Sequence, residues 1–550
     1  MPTESENIAP DIQAKADSIL RAYLASSNVT LSPAHTALLS QCISQLLPSP
    51  LTETVIPITC LLSTSTPLSY HVGTGRQLLN YVFDSILTGP NAVRHELLFV
   101  TCFWAKSTSL SHLTRTLLEL NRLRPISRGD RQRKLRVRIC VSSLSAFQRL
   151  FHTSSENGYT YDNTAAAFKS LGLPSPEELG NLEIVIKSKF FRPLSVLHGK
   201  YVIVDRKHLY LPSCNVSWEE WLEGMSVFQG GIVDGFLQYY QRIWETSGGL
   251  VQLRGLNENE GDKGDEVDSM IDPSVGATIW APKPLPPVSI KFNTDRPSPT
   301  IFLPQPHHAT FPALRFVPSL ISTLLSKCLP FQISPNDIPP PLTAQNVFMA
   351  ALIRHARNKV FIQTPNLTCP YLLDLIYDRF TATGESPVNI EIITCKSMMV
   401  LEQLVTTGWG GPASKVDGRG KNRRWGATTE ACVNELLWRL SAAHIHEDSA
   451  LNVYYYTPTS DPIPTPIQSL DVEDMESSYS AWEEIAFARQ SHVKALVVNE
   501  EVVVVGSANG DRASWFTSGE VNVMVFNGEV ARGVREGLVR GVGSRAEKMV

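Results

Sequence analysis

The feature that most constrains this chain is a pattern written twice. His198 to Asn215 reads HGKYVIVDRKHLYLPSCN and His492 to Asn509 reads HVKALVVNEEVVVVGSAN. Each copy holds a His, a Lys two places on, a Ser thirteen places after that and an Asn two further, so His and Asn lie seventeen apart both times. The run after each Lys (Tyr201 to Val204; Ala495 to Val498) is short, β-branched and bounded by polar residues, which predicts a buried strand. A second apolar run returns after Asp205 to His208 and after Asn499 to Val502. Read as hairpins with two-residue tips, Arg206-Lys207 and Glu500-Glu501, the copies pair His198 with Asn215, Lys200 with Ser213, His492 with Asn509 and Lys494 with Ser507. Side chains two apart share a face of a strand, so the four polar groups of each copy converge on one patch.

The repeat runs on past each Asn. Trp218 leads five positions later to Glu223, and Trp515 leads five positions later to Glu520, so each hairpin is followed by an acid on another strand. A His-x-Lys-(x)4-Asp element followed by Gly-Ser-x-Asn, met twice with small departures, resembles the phospholipase D superfamily with its paired HKD motifs. The departures are Asn499, where the family has Asp, and Pro212, where the second copy has Gly506. The resemblance covers roughly residues 65 to 550. It implies an α/β fold of two fused phospholipase D-like halves, each a mixed sheet flanked by helices, related by a pseudo-twofold with the active site at the seam. The stretch Gly506-Ser-Ala-Asn-Gly-Asp-Arg512 looks most like the eukaryotic and fungal lipid-acting branch or the phosphatidyltransferases.

Element by element, the alternation of periods also reads as α/β. The first half runs helix 77–87, strand 96–103, helix 110–120, strand 135–141, strand 181–186, the first hairpin and an amphipathic helix 231–245. The second repeats that order with helix 344–357, strand 359–363, helix 371–380, strand 389–394, helix 428–441, strand 451–456 and the second hairpin. Residues 1–64 form an N-terminal helical cap, 65–253 the first half, 254–300 a linker rich in Gly, Asp, Glu, Pro and Ser, and 301–550 the second half. A second acidic insert spans Ser469 to Glu484.

At 550 residues and 43% hydrophobic, the chain is long enough for a large core in more than one unit. A net charge of −4 gives no global case for nucleic acid. Local basic stretches, Arg128 to Arg138 and Gly418 to Trp425, leave a phosphate-bearing surface open. The nine cysteines lack metal-ligand spacing, the first seventeen residues are polar, and no window is apolar enough to span a bilayer. Together with an Asn215-Val-Ser sequon that a glycan would turn into a blocked site, this points to an intracellular protein, cytoplasmic or peripheral on a membrane, rather than a secreted one.

Two histidines of ordinary pKa near 6.5 suit phosphodiester chemistry near neutrality, one as nucleophile and the other as acid. Lys200, Lys494, Asn215, Asn509, Ser213 and Ser507 are the candidate donors to the non-bridging oxygens, and Glu223 and Glu520 the acids that orient the imidazoles. Neither a cofactor nor a metal is called for. Asp205 lies an odd offset from His198, hence on the opposite face, and its part, like that of Asn499, is structural. The resemblance implies His198 as nucleophile and His492 as acid; the sequence itself leaves the order open. It also points to the Thr364-Pro365-Asn366 turn as a neighbour of the site. The reading is a metal-independent phosphodiesterase or phosphatidyltransferase acting on phospholipids through a phosphohistidine. A nucleic-acid phosphodiesterase, nuclease-like or tyrosyl-DNA phosphodiesterase-like, and an inactive phosphate-binding module are the alternatives.

Overall fold

Threonines start the helices that open each half. Thr74 caps the helix Gly75–Leu87 in a capping box with Gln77, and Thr343 caps Ala344–Arg354 by accepting from the Asn346 N–H. Such caps satisfy N–H groups that have no partner within the helix. The computed structural model describes residues 9–27, 29–49, 56–123, 134–152, 158–191, 195–245, 287–293, 295–307, 310–312, 332–334, 339–396, 428–443, 445–457 and 488–549. The basic stretch 418–425, the acidic insert 469–484, residues 254–286 of the linker and Arg128 to Arg133 lie outside them.

Seven strands of the first half carry the sheet: β1 (Leu62–Thr74), β2 (Glu96–Phe103), β3 (Leu135–Ser143), β4 (Leu182–Ser188), β5 (Tyr201–Val204), β6 (His208–Pro212) and β7 (Trp221–Gly230). Seven more follow in the second half: β8 (Ser298–Gln305), β9 (Lys359–Gln363), β10 (Asn389–Thr394), β11 (Ala450–Tyr456), β12 (Ala495–Val498), β13 (Val502–Gly506) and β14 (Glu520–Phe526). All join one mixed sheet. Its order is β4-β3-β2-β5-β6-β7-β1-β8-β14-β13-β12-β9-β10-β11. Read outward from the β1–β8 contact, each half gives the strand of the orienting acid, the hairpin, and then three parallel strands. The parallel strands are linked through helices such as Thr108–Arg122 and Pro370–Thr381, as parallel connections require.

Apolar burial ties the halves together. One face of the first-half sheet, with Leu97, Phe99, Val137 and Ile139, packs on Leu78, Val82, Leu113 and Leu117. The other face, with Leu98, Val100, Tyr201 and Ile203, joins a core that runs on into Val360, Ile390, Val497 and Val523 of the second half. Helices Pro10–Ser27 and Pro33–Leu46 precede β1, the second resting on Ala344–Arg354. Part of the expected linker is sheet: Val288–Lys291 pairs with β1, and β8 begins at Ser298. In the described part of the basic run, Arg136 and Arg138 reach Glu96 at 3.6 Å and Glu183 at 2.6 Å.

The hairpin register differs from expectation by one residue in both copies. Val204 pairs with His208 and Val498 with Val502, leaving three-residue tips, Asp205 to Lys207 and Asn499 to Glu501. The backbone supplies the reason. Asp205 and Arg206 have φ of 50° and 57°, and Asn499 and Glu500 have 55° and 56°. Asp and Asn tolerate this left-handed region better than most residues, so the turn forms without the glycine a two-residue tip prefers. The strict pairing of His198 with Asn215 and Lys200 with Ser213 is thereby lost. The four groups of each copy still gather, because the ladder ends before the serine and the chain bends beyond it.

Candidate active site

The segment in front of each histidine docks on the other half. The Gly519 carbonyl accepts from His198 N–H at 2.6 Å and Gly199 N–H at 3.2 Å, and the Gly519 N–H donates to Val196 O at 2.9 Å. On the other side Trp221 and Leu222 pair in parallel with Gln490 and Ser491, and the His492 N–H donates to Leu222 O at 2.8 Å. These backbone bonds place each histidine beside the acid of the opposite hairpin.

The ring centroids of His198 and His492 lie 6.3 Å apart, with the planes at 90°. His198 Nδ1 is 3.0 Å from both carboxylate oxygens of Glu520 and 2.9 Å from Ser507 O. His492 Nδ1 is 2.8 Å from Glu223 Oε1. Each acid is gripped by the serine of its own hairpin: Ser213 Oγ donates to Glu223 Oε2, and Ser507 Oγ donates to Glu520 Oε2 at 2.5 Å. Here the structure corrects the sequence reading, in which the serines faced the phosphate. Their hydroxyl protons are spent on the carboxylates, which makes them positioning residues.

Lys200 Nζ donates to His198 O at 2.7 Å, and Lys494 Nζ donates to His492 O. An ammonium has three donors, so two remain on each lysine for a ligand. Asn215 Oδ1 accepts from the Phe103 N–H at 3.2 Å. Asn509 Nδ2 donates to Asp511 Oδ2 at 3.1 Å. No residue in the set of ten exceeds 7% exposure, so a charge brought here is felt at low dielectric.

Burial dominates the protonation of this cluster. It depresses His492 to about 3, with Lys494 adding repulsion and Glu223 opposing; it lowers His198 as well, against the pull of Glu520. Burial also lowers Lys200 and takes Lys494 down to about 7. For Glu223 burial acts upward, but His492, Lys494 and the hydrogen bonds outweigh it and the carboxyl is held low. The geometry selects a neutral ring that keeps its proton on Nδ1 for an ionised Glu223, leaving Nε2 bare. An incoming phosphodiester anion reverses the balance, because its charge favours protonating Nε2 of one ring.

Asp205 and Asn499 stand away from this chemistry. Asp205 accepts from the N–H groups of Arg94, His95 and Glu96 at 2.7 to 2.8 Å, and Asn499 Oδ1 from those of Arg357 and Asn358 at 3.0 and 3.1 Å. Both pin the start of the neighbouring parallel strand, which is why Asn can stand for Asp. Thr364 Oγ1 accepts from the Gly510 N–H at 2.7 Å and Asn366 Nδ2 donates to Asp511 at 3.2 Å, so the turn after β9 braces the Asn509 loop.

Sequence reasoning missed three contributors. Ser514 Oγ donates to Glu520 Oε1 at 2.6 Å, Asp511 caps the helix Arg512–Phe516 that carries it, and the Trp221 ring lies 5.2 Å from His492. The Asp511-x-x-Ser514 cap pattern was a usable signal. Nothing local marked Trp221.

Residues 349–538 match the family described as "Cardiolipin synthase, PLD-like domain". No curated protein matches the chain. Among solved structures, phosphatidylserine synthase of Haemophilus influenzae Rd KW20 aligns over 89% of this chain and 90% of its own at 10% identity and a TM-score of 0.43. The phospholipase D family member Nuc of Salmonella typhimurium aligns over 38% of this chain and 90% of its own, at 14% identity and a TM-score of 0.21.

Proposed function

We propose that the chain is a phosphodiesterase or phosphatidyltransferase that acts on phospholipids through a phosphohistidine. The observation that carries the reading is the pair of imidazoles 6.3 Å apart, each backed on Nδ1 by a buried glutamate. A phosphate between them meets bare Nε2 on one side and, once its charge has raised the other ring, an N–H on the opposite side. His198 Nε2 attacks phosphorus, the P–O bond to the leaving group breaks, and the leaving oxygen takes the Nε2 proton of His492. Lys200 and Lys494, with the Asn215 amide, neutralise the charge that grows on the non-bridging oxygens. Water or an alcohol then gives its proton to His492 as its oxygen attacks phosphorus. The P–N bond breaks and His198 is returned. Glu520 and Glu223 stabilise the imidazolium in each step without taking the proton. The described helices include none long and apolar enough to cross a membrane, and a lipid substrate would be met at a membrane surface.

The test is to offer mixed phospholipids and, separately, oligonucleotides to the purified protein and to identify products by mass. His198→Ala abolishes turnover and any covalent adduct. His492→Ala, given a substrate with an activated aryl leaving group, accumulates an acid-labile, base-stable adduct on the peptide containing His198. An adduct on His492 in His198→Ala exchanges the two roles. Absence of turnover and adduct in the wild type, on every substrate, removes the catalytic reading.

A further inference from the structure

The repeat sets Trp218 and Trp515 at the same distance before their glutamates, yet the two indoles have opposite fates. Trp515 is fully buried at 0% exposure, while Trp218 keeps 39% of its surface open. Trp218 has a φ of 50°, in a region that a bulky residue seldom occupies. This backbone lays its ring on Trp221, with centroids 5.0 Å apart and planes within 2°. Phe103 meets Trp218 edge-on at 4.7 Å, and Trp221 in turn lies 5.2 Å from the His492 ring. The second half has Ser518 where the first has Trp221, so the indole pair is not repeated at the matching position.

We propose that Trp218 and Trp221 form a stacking subsite for a nucleobase carried on the ester arm of the phosphodiester that passes His492. This rests on the reading that a phosphate is held between the two histidines with His492 as the acid, so that the leaving arm departs past His492. Parallel indoles offer a flat, uncharged contact, which bases of any sequence accept because each has a π-face. An ammonium headgroup would also be drawn to the indole faces, but the nearby acids that could neutralise it are engaged. Glu219 accepts from the Ser109 N–H and the Thr108 hydroxyl, and Glu220 pairs with Arg489 at 2.8 Å. The base has two possible sources, a nucleotide-activated lipid or a single-stranded oligonucleotide.

Calorimetric titration of the full chain with a nucleoside monophosphate, glycerol phosphate, phosphocholine and inorganic phosphate tests the subsite without turnover. The nucleotide is expected to bind on the order of tenfold more tightly than glycerol phosphate. Trp218→Ala collapses that ratio and Trp218→Phe keeps most of it. A ratio near one in the wild type, a ratio that survives Trp218→Ala, or phosphocholine as the tightest ligand overturns the proposal. Turnover of a nucleoside-diphosphate diacylglycerol and of a short oligonucleotide then identifies the source, the true one losing kcat/KM in Trp218→Ala. Cleavage of base-free phospholipid with neither of these cleaved also overturns it. Nucleotide binding that depends on Trp218 in a protein that cleaves nothing upholds the subsite and removes the catalytic reading instead.

Discussion

An imidazole whose Nδ1–H is fixed on a carboxylate has one nitrogen left for chemistry, and both histidines here are held that way. Which glutamate serves which role follows from the crossing. Glu223 supports the proposed acid, so Glu223→Gln should slow an alkyl ester on the order of 10² to 10⁴-fold and an activated aryl ester far less, since a good leaving group needs little protonation. Glu520 supports the proposed nucleophile, so Glu520→Gln should slow both. Steady-state rates on the two substrates decide it, and equal losses in Glu223→Gln would contradict the assignment. At this scale the sequence was highly legible. Spacing alone picked out both histidines, both lysines and both acids, whereas the serines turned toward the acids because hydroxyl direction depends on packing that spacing does not encode.

At the scale of elements, the hairpin tips act as clamps. Asp205→Ala removes the acceptor of three N–H groups and places a β-carbon residue without a polar side chain at positive φ. It should cost about 1–3 kcal/mol in denaturant unfolding. Asn499→Asp keeps the acceptor and should leave turnover within a few-fold; a large gain in rate would mean that the second tip takes part in chemistry. The strand beyond each tip shows how the halves diverged. A β-carbon at Gly506 would run into the Val521 carbonyl and the Asn522 side chain, while the first half has Pro212 there and instead narrows at Gly224, whose open side is filled by the Tyr70 hydroxyl. Gly506→Ala should therefore destabilise by about 1–3 kcal/mol, read as a shift in unfolding midpoint.

For the whole molecule, the buried cluster makes stability depend on pH. The unfolded chain protonates His492 near the ordinary 6.5, but burial in the fold delays this until about 3. Between those values the unfolded state binds more protons, so stability falls as pH drops from 6.5 toward 3. Lys494 works the same way higher up. Held near 7 in the fold against 10.5 when exposed, it makes stability rise with pH across that window. Phosphate, by favouring the protonated forms in the fold, should raise the melting temperature and soften the acid loss. Urea unfolding at pH 5 and 7, with and without phosphate, checks this, and His492→Ala should flatten the slope below 6.5 by up to one proton.

What the sequence determined by itself was local and periodic. The capped helices, the strands from Glu96 to Phe103, Lys359 to Gln363 and Asn389 to Thr394, and the twofold repetition of one polar motif all lie in short-range pattern, where propensity and burial act on neighbouring residues. Tertiary structure decided the rest. His198 meets Glu520 across 322 positions and His492 meets Glu223 across 269, through backbone bonds at a seam that neither half can form alone. It also decided that Trp218 swings out to stack on Trp221 while Trp515, at the matching position, is buried. Identical spacing gave no hint of the difference, because the conformation of each indole is set by the neighbours that the other half and the adjoining loops bring to it.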